Sequence, residues 1–201
     1  MNRQQKPFIL LGAGGHAKVV LDILRNWDFR ILGVCDPFLY RDSVTNWRGI
    51  QVLGDDLYLN TLDPQKIVLA NGIGITPSSV IRENVYSDFR RLGFSFPPLI
   101  HRTAWVSPDA KIEEGVQIMA GAIIQADVLI GENSIINTGA TIDHDSEIGA
   151  HTHVAPGATI CGNVSVGKSS FIGANCTILE GAVIDAGGFV RANNLHLTAR
   201  S

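Results

Sequence analysis

Little in this chain labels it at first sight, and each scarcity excludes something. Of 201 residues only Cys35, Cys161 and Cys176 are cysteine, too few and too odd a number for a disulfide framework. Reduced thiols fit the cytoplasm, which is the expected location. Charged residues make up 17%, with 16 Lys and Arg against 19 Asp and Glu, so the net charge is only −3. No basic stripe is present, which argues against nucleic acid and against an anionic membrane surface as partners. No apolar run approaches the roughly 20 residues that a membrane-spanning helix needs. Residues 1–7 are polar and lead straight into a strand, so they are not read as a signal peptide. His and Asp are scattered without paired ligand spacing, and no metal is expected.

What is abundant is order at a period of six. From Val106 to Val190, every sixth residue is Val or Ile, without one slip of register. Four residues after each comes a mostly small one, such as Ala110, Ala122, Ser134, Ala140, Ala158, Cys176 or Ala182. Neither a helix nor a hairpin array has this period, whereas a parallel β-helix does. Three hexads close one coil of 18 residues, and each β-branched side chain stacks inward on its equivalents 18 positions away. Fully burying such a side chain contributes roughly 1.5–3 kcal/mol. Cys176 falls on a small inward position and reads as core packing.

Residues 1–98 are built differently. Phe8–Leu11 reads as a strand, followed by the turn Gly12-Ala13-Gly14-Gly15-His16 and a helix over residues 17–26. Ile31–Cys35 is a second strand, closed by Asp36-Pro37. A polar loop follows, then a short helix over 55–62, a third strand over 66–70, and the turn Asn71-Gly72-Ile73-Gly74. Thr76-Pro77 places proline where a helix through residue 91 can begin. This alternation predicts a small parallel, Rossmann-like α/β sheet. Phe96-Pro97-Pro98 marks the hinge to a second domain, residues 99–201. The hexads stop after Asn194, because His196 stands where an aliphatic residue is due, so residues 195–201 are expected to be a tail or cap.

Two features carry chemistry. Gly12-x-Gly14-x-x-Ala17 follows a strand and opens a helix, the context in which backbone N–H groups cradle a phosphate. With Asp36 ending the next strand, it matches a dinucleotide fingerprint that has Ala in the last position. A domain this small fits a mononucleotide or nucleotide sugar, with Gly14, Gly15 and His16 at the diphosphate and Asp36 on the base or ribose. The competing reading is a turn whose glycines only let helix pack on strand. The second feature is Asp143-His144-Asp145. His144 lies at a corner whose neighbours 18 residues away are Ala126 and Gly162, so its ring stays accessible. A carboxylate beside an imidazole fixes its tautomer and raises its basicity, as a general base requires. A polar corner ladder with a solvated histidine fits the spacing equally well. His153 shares a column with Ile135 and Phe171, which fits either a covered groove or a satisfied, partly buried ring.

In combination, the hexads, Gly12-Ala13-Gly14-Gly15-His16, Asn137-Thr138-Gly139-Ala140 ahead of His144-Asp145, and the run from Ile148 through His153-Val154-Ala155-Pro156-Gly157-Ala158 resemble one family. The chain is similar to bacterial sugar acyltransferases of the sialic-acid O-acetyltransferase and UDP-4-amino-sugar N-acetyltransferase group. The resemblance covers nearly the whole chain and implies a left-handed β-helix behind the α/β domain. It also implies a homotrimer with active sites between subunits and acetyl-CoA as donor. His144 would be the base, Asp145 its basicity-raising partner, and His153, Ala155, Gly173 and Ala174 the acetyl-CoA contacts. Gly14, Gly15, His16, Asp36, Pro37, Gly72 and Ile73 would hold the nucleotide sugar. The Gly-Asn-Pro-Ala-Lys-like ending usual in the group is absent, which implies a reduced adenosine end of the donor site. The unbroken hexads extrude no loop over His144, so the site is expected to be completed by a neighbouring subunit and the N-terminal domain. N-acetylation of a UDP- or dTDP-4-amino sugar in surface-glycan synthesis is the expected activity. O-acetylation of a sialic-acid-type sugar and a non-catalytic nucleotide-sugar-binding trimer are the alternatives.

Overall fold

The computed structural model describes residues 6–196. Two compact units divide the chain: one runs to Gly74 and resumes over Val80–Leu99, while the other takes Ile75–Ser79 and the chain from Ile100 onward. The expectations for residues 1–5 and 197–201 lie outside the described residues.

In the first unit β1 (Phe8–Leu11), α1 (Gly15–Asn26), β2 (Ile31–Cys35), α2 (Pro37–Arg41), β3 (Asn46–Trp47), β4 (Ile50–Gly54), α3 (Asp56–Leu59), β5 (Val68–Asn71) and α4 (Ile81–Arg91) follow in order. The sheet runs β3-β4-β2-β1-β5, parallel except for the β3–β4 pair. Its apolar strands are buried throughout β1 and β5, and Ile9, Leu11, Cys35, Leu59, Leu69, Tyr86, Phe89, Phe94 and Phe96 form one core. After β1 and β2 the chain returns on the other side of β1 as β5. The strand order therefore reverses beside β1, and the two glycine turns leave the carboxyl ends of β1 and β5. Such a switch point is where open α/β sheets bind ligands.

Residues 37–54 are not the polar loop expected of them. The Asp36 carboxylate caps α2, accepting from the Phe38 and Leu39 N–H groups at 3.0 and 2.9 Å. Arg48 and Gly49, at φ +50° and +83°, then make the tight turn between β3 and β4, with Gly49 N–H bonded to Asn46 Oδ1 at 3.0 Å. Two successive positive φ angles are what a two-residue hairpin turn requires. The helix expected from residue 76 begins only at Ile81. Ser78, at φ +70°, cannot continue a right-handed helix, so Pro77 precedes α4 rather than opening it.

The second unit is the left-handed β-helix. Two-residue parallel strands form three sheets, for example Thr141–Ile142 between Ile123–Ile124 and Thr159–Ile160. Ile124, Ile142, Ile160 and Ile178 are fully buried in a continuous core with Ala122, Ala140, Ala158 and Cys176. Backbone N–H groups donate to the carbonyl 17 residues later, as in Thr141 to Ala158 (2.9 Å), while corner residues donate back, as in Asn163 to His144 (2.9 Å). Each coil is thereby tied to both neighbours. The inward hydroxyls are satisfied too: Ser134 donates to Gly149 O, Ser146 to Cys161 O and Thr152 to Gly167 O at 2.9–3.2 Å.

A second period of six governs the corners. Every sixth residue from 115 to 193 has a positive φ, and only Gly, Asn, Asp, Ser and His occupy these positions. Side chains branched at Cβ are disfavoured there, whereas Asn and Asp are tolerated. The coil also runs further than the aliphatic pattern: Leu195–His196 pairs with Thr177–Ile178, with His196 opposite Ile178. Backbone pairing carries the fold past the point where the core residue fails.

Candidate active site

His144 and Asp145 stand at one corner of the β-helix. Asp145 is among the left-handed corner residues (φ +59°), which explains an Asp there without any chemistry. Its side chain does more than fill a corner: Oδ2 lies 2.8 Å from His144 Nδ1. The carboxylate can only accept, so Nδ1 carries the hydrogen and Nε2 presents its lone pair. Nε2 has no partner among the described residues, and the His144 side chain is 57% exposed. The Asp145 hydrogen bond, and then the Asp143 charge, hold the imidazole above its ordinary pKa. This geometry leaves Nε2 able to take up a proton.

Two small residues shape the corner: Gly162, which the 18-residue column already sets beside His144, and Ser146, which the spacing does not connect with it. A Cβ at Gly162, one coil on, would lie 2.8 Å from His144 Cε1 and 3.0 Å from Nε2. The ring therefore rests on bare backbone, and only glycine leaves it room. Behind that glycine, Ser146 Oγ donates to Cys161 O at 2.9 Å and accepts from Val164 N–H at 3.1 Å. Column arithmetic at 18 residues pairs 144 with 162, but it does not reveal how closely the ring approaches.

The expected donor residues lie together in the β-helix. His153 stands in a column between Ile135 and Phe171, and it meets the Phe171 ring edge-on at 4.8 Å. Its Nδ1 faces Ile75 O at 3.1 Å and its Nε2 faces the Asn137 amide at 3.1 Å. A carbonyl accepts, so Nδ1 is protonated, and Asn137 donates to Nε2. Both ring nitrogens thus have protein partners, and His153 secures the segment Ile75–Ser79 within its unit. Ala155 and Gly173 occupy successive coils of one column, with Ala174 next to Gly173. A Cβ on Gly173 would meet the backbone of the next coil, 2.5 Å from Ala192 N.

In the first unit the expected acceptor residues also converge. Asp36 is buried, and beyond capping α2 its Oδ2 accepts from Ala13 N–H at 2.9 Å. Three backbone N–H groups thus meet this carboxylate, and it fastens the first glycine turn to the end of β2; Pro37 opens α2 beside it. Gly14 is the N-cap of α1 and supplies no side-chain cap, and Gly14 and Gly15 are exposed. The N-terminal N–H groups of a helix left uncapped favour an anion. The second turn interlocks with the first. Gly72 N–H bonds Leu11 O at 2.8 Å, and a Cβ at Gly72 would lie 2.6 Å from that oxygen and 2.8 Å from Ala17 Cβ. Ile73 lies against Gly12, and Gly74 against His16. Cys35 is buried and its thiol is pushed up to about 12 by burial, so it offers no nucleophile here. Among the described residues no His, Cys, Asp and Glu group could hold a metal ion, and no helix is long and apolar enough to cross a membrane.

A hexapeptide β-helix bearing an open His–Asp pair, in one chain with an α/β unit that carries two interlocked glycine turns, defines a hexapeptide-repeat acyltransferase. The PglD N-terminal domain profile matches residues 7–89, and the bacterial transferase hexapeptide (six repeats) profile matches residues 109–144, 127–162 and 145–180. A variant of perosamine N-acetyltransferase from Caulobacter crescentus, in complex with CoA and GDP-perosamine, is 36% identical. Its TM-score is 0.86, over 96% of this chain and 89% of that one. The acetyltransferase domain of PglB from Neisseria gonorrhoeae is 30% identical, with a TM-score of 0.89 over 98% and 94% of the two chains. The same domain in complex with acetyl coenzyme A aligns at 30% identity and a TM-score of 0.87, over 97% and 92%. The chain belongs to the bacterial sugar acyltransferase family of hexapeptide-repeat proteins, and by that membership it is an acetyltransferase.

Proposed function

We propose that this acetyltransferase moves the acetyl group of acetyl-CoA onto the amine of a nucleotide-activated amino sugar, in cytoplasmic synthesis of a surface glycan. The observation that carries the reading is the His144–Asp145 pair at 2.8 Å, with Nε2 open. His144 Nε2 takes the proton of the amine as its nitrogen bonds the acetyl carbonyl carbon. As the carbon–sulfur bond breaks, His144 returns that proton to the departing thiolate. Asp145 stabilises the imidazolium between the two transfers. His153, Ala155, Gly173 and Ala174 line the donor side in this reading. Gly14, Gly15, His16, Asp36, Pro37, Gly72 and Ile73 form the acceptor pocket, with the diphosphate at the open start of α1.

UDP- and dTDP-4-amino sugars are the acceptors we favour, and the GDP-perosamine bound by the Caulobacter relative puts GDP-linked amino sugars on the same panel. The exposure of His144 supports a site completed by a neighbouring subunit. Trp105 and Ile123, stacked in one sheet with outward side chains 59% and 37% exposed, supply apolar surface for a homotrimer. Thiol release from acetyl-CoA, measured with UDP-, dTDP- and GDP-linked amino sugars beside free sialic acid, tests the acceptor. Turnover on sialic acid alone would replace the amine with a hydroxyl, and turnover on no acceptor would leave a binding protein. A monomer by light scattering at micromolar concentration would remove the inter-subunit site.

A further inference from the structure

The proposed reaction leaves Arg82 without a task. This residue lies in the first turn of α4 and is 1% exposed. Burying a guanidinium is costly, and hydrogen bonds to carbonyls offset part of that cost. Nη1 donates to Asn71 O at 3.0 Å and to Ile73 O at 2.6 Å, the carbonyls on either side of Gly72. Asn71 completes the clamp: Nδ2 donates to Arg82 O at 3.2 Å, and Oδ1 accepts from Ile73 N–H at 3.1 Å.

The clamp decides which way the turn's peptide groups point. No peptide bond in the described chain is cis, so a carbonyl drawn toward Arg82 sends the next N–H the opposite way. For the Asn71 carbonyl, that next N–H belongs to Gly72 and meets Leu11 O, joining the two glycine turns. For the Ile73 carbonyl it belongs to Gly74, which points away from Arg82 and has no partner among the described residues. We infer that Arg82 is a positioning residue for the acceptor: from the buried side it sets the 71–74 turn, so that its outward N–H meets an oxygen of the nucleotide diphosphate. The inference rests on reading the first unit as the nucleotide-sugar site.

Titration calorimetry with UDP, GDP and dTDP, and separately with CoA, tests it. Arg82→Met keeps much of the volume but removes the donors. It is expected to weaken the diphosphate that the wild type binds by about tenfold or more, with CoA affinity unchanged. In turnover the acceptor KM rises while kcat stays within about twofold, because the reacting groups are untouched. Arg82→Lys, whose ammonium still donates, recovers part of the affinity. Asn71→Ala opens the same clamp while keeping the cation, and it serves if Arg82→Met does not fold. A folded variant of either kind with wild-type diphosphate affinity overturns the inference. So does an equal loss of CoA and diphosphate affinity, which marks a general structural role. A wild type that binds none of the three diphosphates, nor their amino sugars, sinks the underlying site reading as well.

Discussion

Asp145 in the β-helix and Gly72 in the α/β unit both sit in tight turns, yet different neighbours constrain them. Asp145 occupies a corner that recurs every six residues, where the backbone asks only for a residue tolerant of positive φ. Gly72 occupies a turn that occurs once, pressed on Leu11 O and Ala17 Cβ and flanked by the carbonyls that Arg82 holds. The β-helix can therefore acquire a chemical group at a corner without disturbing its core. The α/β unit cannot change a turn residue without moving the turn. Chemistry in the first case is separable from stability, and in the second it is not.

That separation predicts the mutational behaviour. His144→Ala should lower kcat by about 10³-fold, within the range for loss of a general base, with thermal stability unchanged; near-wild-type turnover would rule the base out. Gly162→Ala should follow at about 10²-fold, because its Cβ would enter the space of the imidazole and spoil alignment rather than remove the group. A circular-dichroism melt like the wild type's is expected for it. Gly72→Ala is the counter-case: overpacking against backbone costs about 1–3 kcal/mol, so the melting temperature should fall and the acceptor KM rise together, with CoA affinity retained. If acceptor binding falls with no loss of stability, the proposed contrast between the regions collapses.

Asp145 gives the smallest effect and the sharpest one. Asp145→Asn keeps a residue suited to positive φ but removes the charge, so kcat should drop about tenfold. Its pH profile carries a sign. The Asp145 hydrogen bond raises the His144 pKa, and a base must be neutral to act. Wild-type kcat/KM should therefore fall as pH drops through a value above the ordinary imidazole range. In Asp145→Asn that acid limb should move to lower pH even as the plateau falls. Asp145→Ala should lose about the same activity and also melt lower, since Ala at positive φ costs about 1–2 kcal/mol. An unmoved acid limb would show that Asp145 only fills its corner.

Legibility followed the same division. The core of the β-helix could be read because its constraint is periodic, and His144–Asp145 because the partners are adjacent in sequence. The corner period from 115 to 193 is written in the sequence as well, through its Gly, Asn and Asp, but it mixes five residue types where the core period uses only Val and Ile. Gly162 and Ser146 matter through the approach of one coil to the next, which spacing alone does not scale. In the α/β unit, β1 and β2 were evident from apolar runs. By contrast, α2 and the β3–β4 hairpin are short, polar and fixed by the Asp36 cap and the Arg48-Gly49 turn. Proline at 77 marked a helix start that Ser78 forbids. Arg82 carries no sequence signal that sets it apart from the other charges of α4; only the tertiary clamp to Asn71 and Ile73 distinguishes it.

The two superposed periods also quantise the length of the β-helix. A single inserted residue would shift core aliphatics toward corners that reject β-branching, in every coil that follows. The error would accumulate along the solenoid rather than remain local. An insertion keeps both periods in one of two ways: as a whole number of hexads, with a complete turn of 18 restoring every column as well, or as an excursion that leaves and rejoins the same corner. New binding surface in this architecture is therefore expected to arise in whole-hexad increments or as corner loops, and never by gradual stretching of a side.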